Sequence, residues 1–203
     1  MLERIEVLRG ASSALYGGSN PGGLVNMVTK RPTGEDKRIL ETGVDSDSGA
    51  WTALDLNGHE ETYDWRFVAR VAETDGNGAF EEGFRGVVAP SVAFKTAGGT
   101  DVTLSASYMN IDETHVGNAW LPYTGTVEAA SFGYIARDFN TGEPGYDWYD
   151  REQFTVSAEV SDTIAGGWTL TNATRFGYAD VSEGSVYAYG YAGYAATPTD
   201  AAN

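Results

Sequence analysis

The stretch that decides the fold is WTLTNATRFGY, residues 168–178. Side chains alternate between the two faces of an extended chain. Trp168, Leu170, Asn172, Thr174, Phe176 and Tyr178 therefore share one face, and Thr169, Thr171, Ala173, Arg175 and Gly177 the other. The first face carries Trp168, Leu170, Phe176 and Tyr178, with an aromatic at each end, while the other is mostly small or polar.

Four neighbouring segments read the same way. Phe154, Val156, Ala158 and Val160 alternate with Gln153, Thr155, Ser157, Glu159 and Ser161. Val102, Leu104, Ala106 and Tyr108 alternate with Thr103, Ser105, Ser107 and Met109. Trp65, Phe67, Ala69 and Val71 alternate with Arg66, Val68, Arg70 and Ala72, and Val88, Val92 and Phe94 face away from Ser91, Ala93 and Lys95. Residues 38–45 and 50–57 are less regular candidates, which brings the expected total to seven antiparallel strands.

A soluble sheet with one buried face produces the same alternation. Three features favour a membrane barrel instead. The apolar faces end in aromatics: Trp65, Phe94, Tyr108, Phe154, Trp168 and Tyr178. Ten steps of roughly 3.3 Å cover about 33 Å, which a tilt of ~40° reduces to about 25 Å, the height of a barrel's lipid belt. Connections also alternate in length, short near 58–63, 97–100 and 162–167 and long near 75–86, 111–151 and after 179; only the join at 45–49 breaks the pattern. A 40-residue loop is foreign to a compact soluble domain but ordinary on the outer side of a barrel.

Composition removes several functions. Among 203 residues, 29 acidic against 13 basic side chains give a formal charge of -16, which repels phosphate backbones, so no nucleic acid partner is expected. With no Cys and two His, there is no disulfide framework, thiolate zinc site or thiol catalysis. No run approaches the ~18 apolar residues of a membrane helix.

Residues 1–33 differ from the rest and read as a small α/β piece. Ile5 and Val7 lie in a strand, ASSALYGG (11–18) forms a helical turn, NPGG (20–23) is a turn, 24–30 is a second strand, and Arg31-Pro32 ends it. Met1 leads straight into this pattern without a signal peptide, and 201–203 stop in mid-pattern. The chain is thus expected to be an internal stretch of a longer protein.

Catalytic motifs fail one by one. Gly17 and Gly22 have phosphate-loop spacing, but Gly23 stands where its Lys is needed. GASSA (10–14) lacks the second Gly of a nucleophile elbow. Asn172-Ala173-Thr174 is a formal glycosylation acceptor in mid-strand. The acids of the long loop, among them Asp112, Glu113, Glu128, Asp138 and Glu143, match no calcium loop. More informative are that loop's aromatics, Trp120, Tyr123, Phe132, Tyr134, Phe139, Tyr146, Trp148 and Tyr149, which suit a partly apolar ligand.

RIEVLRGASSALYGGSNPGGLVNMVTKRP (4–32) resembles the end of the plug domain of TonB-dependent outer-membrane receptors of the siderophore branch, with Ala11 where Pro is usual. WLPYTGTVE (120–128), GEPGYDWYDREQF (142–154) and residues 168–178 resemble the third external loop and following strands of the same branch. The resemblance implies a mainly β chain, with the C-terminal part of an α/β plug (1–33) followed by the N-terminal part of a transmembrane barrel (34–203), about seven of 22 strands. It implies an outer-membrane location in a bacterial cell, contact with outer-membrane lipid, and TonB contact through an upstream box. The implied function is import of a ferric siderophore whose own oxygens hold the iron, with no enzyme activity and no cofactor or protein-bound metal. Trp120, Tyr123, Tyr134 and Trp148 are its ligand candidates, although Asn118 stands where a second aromatic can occur. Arg9 is its plug–barrel contact, with barrel partners beyond 203. The alternatives are import of cobalamin, haem or a glycan by the same machinery, or a non-transporting structural or adhesin barrel.

Overall fold

The computed structural model of the chain describes residues 1–10, 22–46, 48–75, 80–114 and 121–186, without the side chain of residue 75. Two antiparallel sheets account for its nine strands. β1 (Leu2–Arg9) and β2 (Gly23–Thr29) form a ribbon. The second sheet is a meander in which each strand pairs with the next: β3 (Lys37–Val44), β4 (Ala50–His59), β5 (Tyr63–Asp75), β6 (Glu82–Lys95), β7 (Asp101–Glu113), β8 (Trp148–Ile164) and β9 (Trp168–Gly184). The helical turn expected at 11–18 lies outside the described residues.

All seven expected barrel strands are present, and several are longer than their alternation suggests. β5 and β6 continue pairing through Glu73↔Phe84 and Thr74↔Gly83, so the connection expected at 75–86 shrinks to six residues, 76–81. Likewise 34 residues, not about 40, separate β7 from β8. Above the apolar belt both strand faces are polar, and alternation gives no signal where the backbone ladder still runs. The ladder between β6 and β7 skips Ala89 and Pro90, where proline offers no N–H.

Register fixes the faces. Phe67, Pro90 and Val88 belong to the outward set, and the rows Val92–Leu104–Ala158–Thr174 and Tyr108–Phe154–Tyr178 cross the sheet on the same side. The second row is an aromatic border, and Tyr108 turns its hydroxyl to Glu152 Oε1 at 3.1 Å, as a ring between lipid and water would. Inward lie Asp55, Asn57, Arg66, Val68, Ser91, Ser105, Ser157 and Glu159.

Burial is inverted relative to a soluble sheet. Among the described residues the buried apolar side chains are Val68 and Ala72 alone, while Asp55, Asn57, Arg66 and Asp147 are buried polar groups. Trp168 is 75% exposed and Phe176 63%. A seven-stranded sheet that buries its polar face and leaves its apolar face uncovered is the wall of a membrane barrel.

Candidate functional site

Two regions carry the structure's specific chemistry. The first is the seam between the segment leaving the ribbon and the inward face of the barrel wall. Lys30 Nζ donates to Asp55 Oδ2 at 2.6 Å. Arg66 holds the same carboxylate through Nε to Oδ1 and Nη2 to Oδ2, both at 2.8 Å, and its Nη1 donates to the Arg31 carbonyl at 2.9 Å. Arg31 then reaches β8, where its two terminal nitrogens donate to Glu159 at 2.7 and 2.8 Å. The Asn57 amide donates to Thr33 Oγ1 at 3.1 Å and to the Glu35 carbonyl, while its Oδ1 accepts from Thr33 N at 3.2 Å.

Four residues of the exit segment, Lys30, Arg31, Thr33 and Glu35, thus bind β4, β5 and β8. Charges buried at such a seam persist only where each is paired and hydrogen-bonded, and Asp55 meets that condition by accepting from two cations. The ribbon has its own exposed polar ladder. Glu6 accepts from Asn26 Nδ2 at 2.8 Å and Arg4 Nε at 2.6 Å, and these donors, Asn26 first, hold its carboxyl below the usual range.

Arg9, the expected plug–barrel contact, is exposed at the end of β1 opposite Gly23. Lys30 and Arg31 make the contacts seen here, and sequence reasoning missed them. Their signal was available: two consecutive cations just past a strand, with Asp55 and Glu159 at inward positions of later strands.

The second region is the rim on the side of the long connections. Residues 121–147 fold on themselves: the Tyr123 carbonyl accepts from the backbone of Thr126, Val127 and Glu128, Thr126 Oγ1 donates to the Pro122 carbonyl at 2.6 Å, and Ile135 N donates to the Gly125 carbonyl at 2.8 Å. The loop turns Tyr123, Phe132, Tyr134, Phe139 and Tyr146 outward, each more than half exposed. Of the four expected ligand residues, Tyr123 and Tyr134 thus lie on this one folded loop. Trp148 stands at its foot as the first residue of β8, and Trp120 lies outside the described residues.

Trp148 and Asp147 border a cavity of about 640 Å³ below the loop, together with Glu73, Glu82, Phe84 and Asp112. The loop is fixed at both feet, since Thr114 N donates to the Glu82 carbonyl at 2.8 Å and Asp147 Oδ1 accepts from Val186 N at 2.6 Å. Among the described residues no group of three or more His, Asp or Glu is arranged to hold a metal ion. An aromatic surface above an acidic cavity can hold a ligand by stacking and hydrogen bonding.

Residues 1–24 match the family model described as the TonB-dependent Receptor Plug Domain, and the segment that follows is bonded to the inward face of a barrel wall, as the relatives and solved structures below also indicate. The chain belongs to the TonB-dependent receptors. It is 34% identical over 196 residues to the ferrichrome outer membrane transporter/phage receptor of Escherichia coli K12, covering 94% of this chain and 26% of that protein. The ferrioxamine B receptor of Salmonella typhimurium SL1344 is 33% identical over 200 residues, 94% of this chain and 27% of the relative. This receptor chain therefore spans about a quarter of the length of the curated relatives it matches.

Among solved structures, the pyoverdine outer membrane receptor FpvA of Pseudomonas aeruginosa PAO1, bound to pyoverdine, superposes with a TM-score of 0.76 at 25% identity, over 90% of this chain and 27% of that one. The closed form of the ferric-catecholate import receptor Fiu of E. coli K12 gives 0.78 at 24% identity, over 89% and 27%, a likeness of fold. The relatives are outer-membrane transport receptors, and none of those named is an enzyme.

Proposed function

We propose that the receptor containing this chain sits in the bacterial outer membrane, binds a ferric siderophore from outside, and imports it when TonB, engaging a box upstream of residue 1, displaces the plug. The observation that carries this reading is the exposed aromatic loop 121–147 on the long-connection rim of a wall whose inward face is stitched to the plug's exit segment. A large, scarce iron complex requires a tight binding surface outside and a gate that opens only with energy from elsewhere, and these two regions are the parts such a device needs. The relatives named for ferrichrome, ferrioxamine and pyoverdine support the ligand class.

In this reading the siderophore's oxygens keep the iron, and the protein contributes no cofactor, metal ligand or catalytic group. Tyr123, Tyr134 and Trp120 contact the ligand, Trp148 supports the rim, and Arg9 adds a plug–barrel contact to those of Lys30 and Arg31. The plug extends to residue 33 and the barrel begins at 34.

The test is uptake of radio-iron as ferrichrome, ferrioxamine B or ferripyoverdine by a strain whose only siderophore receptor is the complete protein. Saturable, TonB-dependent uptake of at least one is expected. Uptake of cobalamin, haem or a glycan with none of the iron complexes would overturn the ligand class, and failure to take up any of them would favour a structural barrel.

A further inference from the structure

Asp147 is 2% exposed at the point where the aromatic loop returns to the wall, and among the described residues its oxygens are met by backbone N–H groups. Oδ2 accepts from Glu143 N at 2.7 Å, and Oδ1 accepts from Val186 N at 2.6 Å. The first bond closes the loop's own last turn, where Tyr146 N and Asp147 N both donate to the Glu143 carbonyl at 2.8 Å. The second reaches a different connection, the one that leaves β9 39 residues later. Gly142 lies so close to the carboxylate that a side chain there has no room. One residue further on, the Trp148 indole covers Gly184 at the top of β9.

We infer that Asp147 is a positioning residue for ligand binding: it locks the aromatic loop 121–147 to Val186 at the exit of β9, so that the loop is held, and moves, with the end of that strand. The chemistry favours a carboxylate. Two backbone N–H groups from separate segments converge on one side chain, and an ionised acid accepts both more strongly than a neutral group. Asparagine keeps one acceptor oxygen, and alanine keeps none and leaves two N–H groups without their partner. This inference deepens the proposed function, because the loop so held is the one assigned to the siderophore.

The experiment uses the complete receptor. Nitroxide labels at Phe139→Cys and Val181→Cys report the distance between loop and wall by pulsed electron resonance, with no ligand required. A narrow distribution in the parent that broadens in Asp147→Ala is expected, and an unchanged distribution overturns the inference. Ferrichrome then serves as the probe of binding. Asp147→Ala should raise its dissociation constant by about tenfold and Asp147→Asn by less, with the maximal uptake rate at saturating ferrichrome retained. In a Tyr134→Ala background the Asp147→Ala effect should shrink, because both act through the loop's placement. Full additivity, or a lowered maximal rate with unchanged affinity, overturns positioning in favour of general structural damage. Should the parent bind no ferric siderophore, the siderophore reading fails, and the label distances still judge the lock.

Discussion

The indole of Trp148 lies over Gly184, its direct register partner on β9, and fills the space that a Cβ there would occupy. The arrangement recurs twice, Trp51 over Gly43 and Trp65 over Gly58, each pair directly opposite in the ladder. A glycine leaves a gap in the sheet surface, and a cross-strand aromatic covers it. Gly184→Ala should therefore displace the ring that begins β8 and cost about 1–3 kcal/mol, the usual penalty of overpacking. Thermal unfolding of the detergent-solubilised receptor reads this out, with Gly98→Ala as control: Gly98 meets only the Thr96 hydroxyl at 3.8 Å, and its midpoint should stay.

The row Val92–Leu104–Ala158–Thr174 lies between the aromatic border Tyr108–Phe154–Tyr178 and the short turns. Leu104→Arg on the outward face should cost about 2–4 kcal/mol near the midplane. Ser105→Arg, one residue along and facing inward beside a cavity of about 500 Å³, should cost far less. Folding measured by denaturant titration in lipid vesicles separates the two. Equal costs would mean that lipid does not distinguish the faces.

Asp55 is the centre of the seam, accepting from Lys30 and Arg66. Asp55→Ala leaves two cations facing an apolar methyl group, a loss on the order of 3–5 kcal/mol for a buried pair broken on one side. The triple variant Lys30→Met, Asp55→Leu and Arg66→Met should recover much of it, because all three charged groups that meet at Asp55 are then replaced together. Hydrogen exchange of the amides of 30–36 is the direct measure: fast in the single variant and slow in the parent.

β3 and β9 are the free edges of the described sheet, and Leu40, Val44, Trp168 and Leu170 stand exposed along them. Unpaired edges beside an uncovered apolar face recruit other copies. The 203-residue chain made alone in water should therefore aggregate. A monodisperse monomer that unfolds cooperatively would contradict the membrane reading.

The wall was legible because lipid and lumen impose opposite chemistry on alternate residues, and 153–161 and 168–178 record it without ambiguity. Strand length was less legible: above the belt both faces of Glu73, Thr74, Glu82 and Gly83 meet water or polar neighbours, so pairing continues where the pattern stops. The seam was hardest to see. Lys30 and Arg31 read as a strand-ending basic dipeptide, and their partners Asp55 and Glu159 are 25 and 128 residues away. The ladder's register puts Asp55 and Glu159 on the inward face, and the segment after β2 brings Lys30 and Arg31 to them. Asp147 was hidden for a related reason, since its partners are backbone N–H groups that carry no residue signature.

The remaining prediction concerns the ligand. Tyr134 and Tyr123 are 63% and 60% exposed on a loop that folds through its own backbone bonds, so most of each ring is left free for a ligand. A rigid aromatic offers large contact area at small entropy cost. Phe132, by contrast, has its ring against Gly125 and helps shape the loop. Tyr134→Ala and Trp120→Ala should each weaken siderophore binding by on the order of 2 kcal/mol, roughly thirtyfold in dissociation constant, with the amount of receptor in the membrane unchanged. Tyr134→Phe should retain most of the affinity if stacking is the main contribution, and lose it if the hydroxyl donates to the ligand. Equilibrium binding of ferrichrome to the purified complete receptor measures all three. If Trp120→Ala binds as the parent does while Tyr134→Ala and Tyr123→Ala do not, the loop keeps its role and Trp120 loses its own. If none of them moves the affinity, the aromatics of 121–147 serve packing, and the ligand is held by other parts of the receptor.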